Sequence, residues 1–157
     1  MIEADGRGII DGNMYMVLGT ADGSGRPWAS PVYYASEDYT EFFWVSSPEV
    51  RHSRNLAARP ELSIVVFDSQ VPISTGQAVY MSAVAEELAG DELERGIGIF
   101  SRTSLTHGGQ AWTPEDVVAP APLRLYRATA SEHFMLDKSG EGAPYDHRTQ
   151  VRLSSAG

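Results

Sequence analysis

What most limits the folds open to this chain is its rhythm. Short runs of β-branched and aromatic residues are each cut off by a turn signal within about ten positions. Met14 to Thr20 is a compact apolar run ended by Asp22-Gly23-Ser24-Gly25, and Trp28 to Ala35 resumes as an extended segment. The pair predicts a β-hairpin. Pro31 lies inside its second strand; proline offers a ladder no N–H, so it marks an edge, a bulge or a backbone facing something other than a strand. Glu41 to Ser46 (EFFWVS) predicts a third strand. Leu62 to Phe67 (LSIVVF) is a nearly continuous apolar run of the buried-strand kind, and Ala78 to Leu88 predicts a fifth strand. Leu123 to Ala128, His133 to Leu136 and Thr149 to Leu153 predict three more. Helices are few. One is expected from Pro48 to about Ala58 with Ser47 as N-cap, one from Asp91 to about Ser101, and one opened by Thr113-Pro114-Glu115-Asp116 and stopped by Pro120 and Pro122. Closely spaced strands with few helices predict a mainly β, small antiparallel barrel.

At 157 residues the chain is expected to form one domain, 1–157, with a real core. An apolar fraction of 42% with 21% charged residues argues against wholesale disorder. The net charge of -9 argues against nonspecific nucleic-acid binding and against an anionic membrane surface, both of which need a basic face. No cysteine is present, which removes disulfides, zinc knuckles and thiol catalysis. The start, Met-Ile-Glu-Ala-Asp, carries no signal core, and no run approaches the roughly 18 apolar residues of a bilayer span. A cytoplasmic location is the expectation.

One local pattern has chemical content. The helix expected after Pro48 carries Arg51, His52 and Arg54 early, with Arg59 close behind. A helix N-terminus is partly positive, so exposed cations there cost roughly 0.3–1 kcal/mol each. Free N–H groups, the Ser46 and Ser47 hydroxyls and this basic cluster together suit a phosphate group. The alternative on spacing alone is a solvated basic face, or ion pairs to Glu49 or Glu61. Both stay open.

The stretch Leu18 to Asp68 resembles the pyridoxamine 5'-phosphate oxidase-like, FMN-binding split-barrel family. The likeness runs through LGTADGSGRPWASPVYY (18–34), FFWVSS (42–47), RHSRNLAARPELSIVVFD (51–68) and GQAVYMSAVAEEL (76–88). It implies a split β-barrel of six to eight antiparallel strands with a few short helices, dimerising with two FMN sites at the subunit interface. It implies that Arg51 and His52 bind the phosphate, with Ser46, Ser47 and Ser53 adding contacts. Ser30, Pro31, Val32 and Tyr33 then lie on the strand beside the flavin ring, with Gln77 near it. The chain departs from the family at His52, where lysine is usual. Its tail, Tyr145-Asp146-His147-Arg148, only loosely resembles the pyridoxal phosphate signature, which argues against pyridoxamine phosphate as substrate.

The implied activity is an FMN-dependent oxidoreductase acting on a small molecule, working as a homodimer. The alternatives are a deazaflavin-dependent reductase, whose acidic cofactor would want more positive charge than this chain carries, and a flavin-binding carrier or sensor without turnover. Haem-binding relatives of the fold are a more distant option. His107, His133 and His147 lack metal-ligand spacing, so no metal is expected. Gly96-Ile97-Gly98 sits inside an expected helix and reads as packing, not nucleotide binding. Trp28, Trp44 and Trp112 read as core or interface aromatics. The loop Thr106 to Gln110 is either an exposed connection or a reach over a neighbour's flavin. Arg124 and Arg127, three apart in one strand, are expected on opposite faces.

Overall fold

A computed structural model describes residues 1–138 and 147–155. Its strands are β1 (Tyr15–Ala21), β2 (Pro27–Tyr33), β3 (Ala35–Glu37), β4 (Glu41–Ser46), β5 (Glu61–Phe67), β6 (Ala78–Glu87), β7 (Arg124–Asp137) and β8 (His147–Val151). Its helices are α1 (Ile2–Gly12), α2 (Arg51–Ala58) and α3 (Gly90–Thr106), with a 3-10 turn at Pro114–Val117. The sheet order is β2-β1-β5-β6-β7-β4-β3, with β8 added to β7, and the pairings are antiparallel. The two ends of that order, β2 and β3, are one run of chain broken only at Tyr34. The run leaves β1 for β4 at this bend, and the sheet thereby curls into a split barrel. Pro31 sits on β2, which pairs only with β1, where a missing N–H costs the ladder little.

Alternation along the strands sends one set of side chains inward. Met16, Leu18, Phe42, Trp44, Ile64, Val66, Val79 and Met135 fill the barrel. A second core lies outside it, where Leu93, Ile97 and Phe100 of α3 cover Ala35, Phe43 and Leu125 on β3, β4 and β7. Arg127 and Arg95 tie these layers together through Glu41 and Glu92, and Arg127 also pairs with Glu86. No helix among the described residues is long and apolar enough to cross a membrane.

Several expectations are corrected. The helix expected from Pro48 starts at Arg51, with Val50 as its N-cap. The Ser47 hydroxyl instead accepts the Glu49 N–H at 3.1 Å, closing a turn ahead of the helix. The sixth and seventh strands are one, β7, because a bulge at Ser131, opposite Ser82 and Ala83, carries the polar stretch through without breaking the ladder. The helix from Asp91 runs on to Thr106. The LSIVVF run is not buried on both faces: Leu62, Ile64 and Val66 face in, while Ser63 and Phe67 are exposed. The sequence reading did not foresee α1. Three glycines mask it, and at Gly6 a Cβ would come within 2.8 Å of Met135 Sδ, so this close approach to the barrel requires glycine. The capping box of Thr113 and Asp116 is present as expected.

Candidate functional site

The site begins at the β1–β2 hairpin. The Asp22 carboxylate accepts the N–H groups of Ser24 (2.8 Å) and Arg26 (3.0 Å), and Gly25 takes φ +86°, a value that favours glycine. These backbone bonds, that from Arg26 first, hold the Asp22 carboxyl below its ordinary range. Thr20, on the inward face near the end of β1, accepts a hydrogen bond from Asn55 Nδ2 at 3.0 Å. That buried bond fixes α2 against the hairpin and accounts for the asparagine in RHSRNL. Arg59, just past the helix, donates to the Gly23 carbonyl at 3.0 Å.

With α2 so placed, its N-terminus faces the end of the barrel between β2 and β4. The first N–H groups of a helix lack intrahelical partners, and here they belong to Arg51, His52 and Ser53, since the Arg54 N–H already reaches Val50. The Ser46 hydroxyl and His52 Nε2 are 2.8 Å apart. His52 is buried, and desolvation pushes its imidazole pKa below the ordinary 6.5. Ser53 is buried too, and its hydroxyl, beside Tyr126, has no partner of full hydrogen-bonding geometry. Arg54 pairs with Glu49 at 2.9 Å, one of the ion pairs that its spacing allowed. Arg51 forms no ion pair with the described residues; its guanidinium lies 4.2 Å over the Trp28 ring. Arg51, Trp28, Asn55, Asp22 and Arg26 line a cleft of about 280 Å³.

The structure thus puts Arg51 on the cleft, joins Ser46 to His52 and buries Ser53 beside Tyr126 at the same helix start, and leaves Ser47 in the preceding turn. The β2 residues divide. Ser30 and Val32 share the inward face with Trp28, whereas Pro31 and Tyr33 face outward. The Tyr33 hydroxyl is engaged with His107 at 2.6 Å. Gln77 lies elsewhere: its amide accepts the Leu136 N–H (2.9 Å) and donates to the Leu136 carbonyl (3.0 Å), extending the β6–β7 ladder. Arg124 and Arg127 do face opposite ways. Arg124 is paired in register with Ser46 and donates to the carbonyls of Ala121 and Leu123. The loop after α3 folds back on its own helix through Ser104 Oγ to the Gln110 carbonyl and Trp112 N–H to Ser101. Arg148 packs over Tyr80, while Tyr145 and Asp146 lie outside the described residues. Trp28 is the residue that sequence reasoning missed. It lies two before Ser30, and strand alternation puts both on one face. No group of three metal-ligating side chains is found among the described residues.

These residues fit the phosphate end of a flavin. An unpaired guanidinium, three helix-start N–H groups and a buried serine hydroxyl lacking a full partner are what such a group takes up.

Fold and site together define a split-barrel protein with a cleft at the start of α2. Residues 2–133 match the family described as Pyridoxamine 5'-phosphate oxidase, and the chain belongs to that family. Among solved structures, it is similar to a heme binding protein from Mycobacterium smegmatis, with TM-score 0.70 and 20% identity over 96% of this chain and 58% of that one. The chain therefore spans a little over half the length of that protein. It is also similar to HutZ, the heme storage protein of Vibrio cholerae, with TM-score 0.63 and 20% identity over 80% of this chain and 87% of that one. An F420 reductase gives TM-score 0.55 and 16% identity over 76% and 88% of the two chains. No curated protein matches the chain in sequence.

Proposed function

We propose that the chain is an FMN-dependent oxidoreductase of the cytoplasm, acting on a small molecule as a homodimer, with the cofactor's phosphate at the start of α2. Arg51 carries this reading. Of the four basic-capable residues in and just after α2, His52, Arg54 and Arg59 each have a hydrogen-bond partner, while Arg51 rests on Trp28 at the cleft without one among the described residues. In a chain of net charge -9, a cation left unneutralised at a helix N-terminus suits an anion supplied from outside.

When bound, FMN supplies the hydride and electron chemistry. The chain's own residues bind and orient it. Arg51 and the helix-start N–H groups take the phosphate; Ser46, Ser47, His52 and Ser53 complete its surroundings. The free edge of β2 at Ser30, Pro31 and Val32 flanks the ring. The dimer is supported by the outward face of β1, β5 and β6, where Phe67 (46% exposed) and Val84 (50%) leave apolar surface for a partner to cover.

The test is the absorbance spectrum and mass of the group that co-purifies, or that binds on soaking. FMN makes the protein yellow, a deazaflavin absorbs at shorter wavelength, and haem gives a Soret band. A protein that stays colourless in excess FMN overturns the proposal. Turnover of a reduced nicotinamide by the yellow protein then separates an oxidoreductase from a carrier or sensor.

A further inference from the structure

A second cleft opens at the other end of β2. It has a volume of about 330 Å³, walled by Tyr15, Tyr33, Phe100 and Trp112, with Met14 at its rim and His107 at one end. The rings meet edge to face: Tyr33 is 6.0 Å from Tyr15 and 5.6 Å from Phe100, and Phe100 is 5.6 Å from Trp112, centroid to centroid. Such packing fixes the ring planes. Tyr33 lies five residues from Trp28 on β2 and faces the opposite way, so this cleft and the one at Arg51 occupy different faces and different ends of the strand. Although the chain has 21 acidic residues, none lines this cleft.

Its polar end is the Tyr33 hydroxyl and His107 Nδ1, 2.6 Å apart. The backbone holds the histidine in place. Its N–H is shared between the Thr103 and Ser104 carbonyls, and the Gly109 N–H returns to Ser104 at 2.8 Å. Gly108 takes φ +80°, a value that favours glycine, in the turn that presents His107. The imidazole therefore sits at the C-terminus of α3, where the helix favours positive charge. Burial raises the Tyr33 pKa, which favours the protonated phenol, and with that phenol donating to Nδ1 the imidazole carries its hydrogen on Nε2. That leaves the Nε2–H, which has no partner among the described residues, as a donor.

We propose that this cleft is a binding site for a flat aromatic carboxylate, its ring held among Tyr15, Tyr33, Phe100 and Trp112 and its carboxylate hydrogen-bonded to His107. The site does not depend on the flavin reading. The full chain is titrated calorimetrically with 2-naphthoate and with the neutral 2-naphthamide, each without FMN and in saturating FMN. Saturable binding of naphthoate is expected, about tenfold or more tighter than the amide, because a charge-assisted hydrogen bond is lost with the charge. His107→Ala should weaken naphthoate by a similar factor. The side chain is exposed, so the variant should keep the wild-type melting profile. Tyr33→Phe should weaken it less, since only the orientation of His107 is lost. Three results would overturn the proposal: no saturable binding at millimolar naphthoate, affinity unchanged in His107→Ala, or displacement of naphthoate by FMN. A protein that takes naphthoate and refuses FMN upholds this site while ending the flavin proposal.

Discussion

Arg51 and His52 occupy adjacent positions in α2 yet have opposite relations to solvent, and each carries its own prediction. Arg51 is exposed and has no anionic partner among the described residues. Its replacement by alanine should weaken FMN binding by at least about tenfold, or about 1.4 kcal/mol, in a fluorescence titration, with little change in stability. Unchanged affinity would mean that the phosphate lies elsewhere. His52 is buried, and desolvation lowers its pKa; His133 is lowered likewise, its bond to the Tyr39 carbonyl opposing the effect. Below the ordinary value of 6.5 the unfolded chain takes up protons that these folded imidazoles refuse, so acidification favours unfolding. The urea midpoint of the apoprotein should therefore fall between pH 7.5 and 5.5, above the range where carboxylates titrate, and less so in His133→Gln. Bound FMN should shrink the loss, because a phosphate next to His52 favours its protonated form. A flat profile over that range would contradict the burial of both rings.

At the scale of the element, α3 shows that Gly96 and Gly98, two residues apart in one helix, are not equivalent. A Cβ at Gly96 would meet Leu88 and Phe43 at 3.0 Å and Leu125 at 3.1 Å, so this is where the helix touches the outer sheet face. At Gly98 the nearest atom is Arg102 Nη1 at 3.9 Å. Gly96→Ala should therefore cost about 1–3 kcal/mol through overpacking. Gly98→Ala should add up to about 1 kcal/mol by removing glycine's helix penalty. Denaturant unfolding of the two variants checks the pair; a similar shift in both would remove the distinction. The packing role read from Gly96-Ile97-Gly98 was legible in the sequence, but which glycine performs it was not, since only the position of β4 and β7 decides that. In the same way EFFWVS was legible to the residue as β4, because a short aromatic and β-branched run and the turn signals around it are local. The start of α2 was not: Ser47 and Pro48 carry N-cap and first-turn signals, yet the Ser47 hydroxyl is taken by a turn three residues early.

At the scale of the molecule, the row Val17, Val65 and Tyr80 crosses the outward face of β1, β5 and β6 in register. A partner covering this face gives a particle of about 34 kDa, twice the chain's 17.1 kDa. Val65→Arg, which puts an unpaired charge at the centre of that row, should shift sedimentation to the single chain. A wild type that already sediments at 17.1 kDa would end the dimer proposal.

The sequence by itself determined β1, β2, β4 and β5, the hairpin turn at Asp22 and Gly25, and the basic run from Arg51 to Arg59. Each is written in local spacing, in residues that favour one backbone geometry whatever surrounds them. Only the tertiary structure decided the rest. The bend at Tyr34 returns one strand to the far edge of its own sheet. Arg51 comes to rest on Trp28, with no counter-ion among the described residues, and Tyr33 turns away from that cleft toward His107, 74 residues along the chain. Those outcomes depend on contacts between distant segments, and no window of sequence contains both partners.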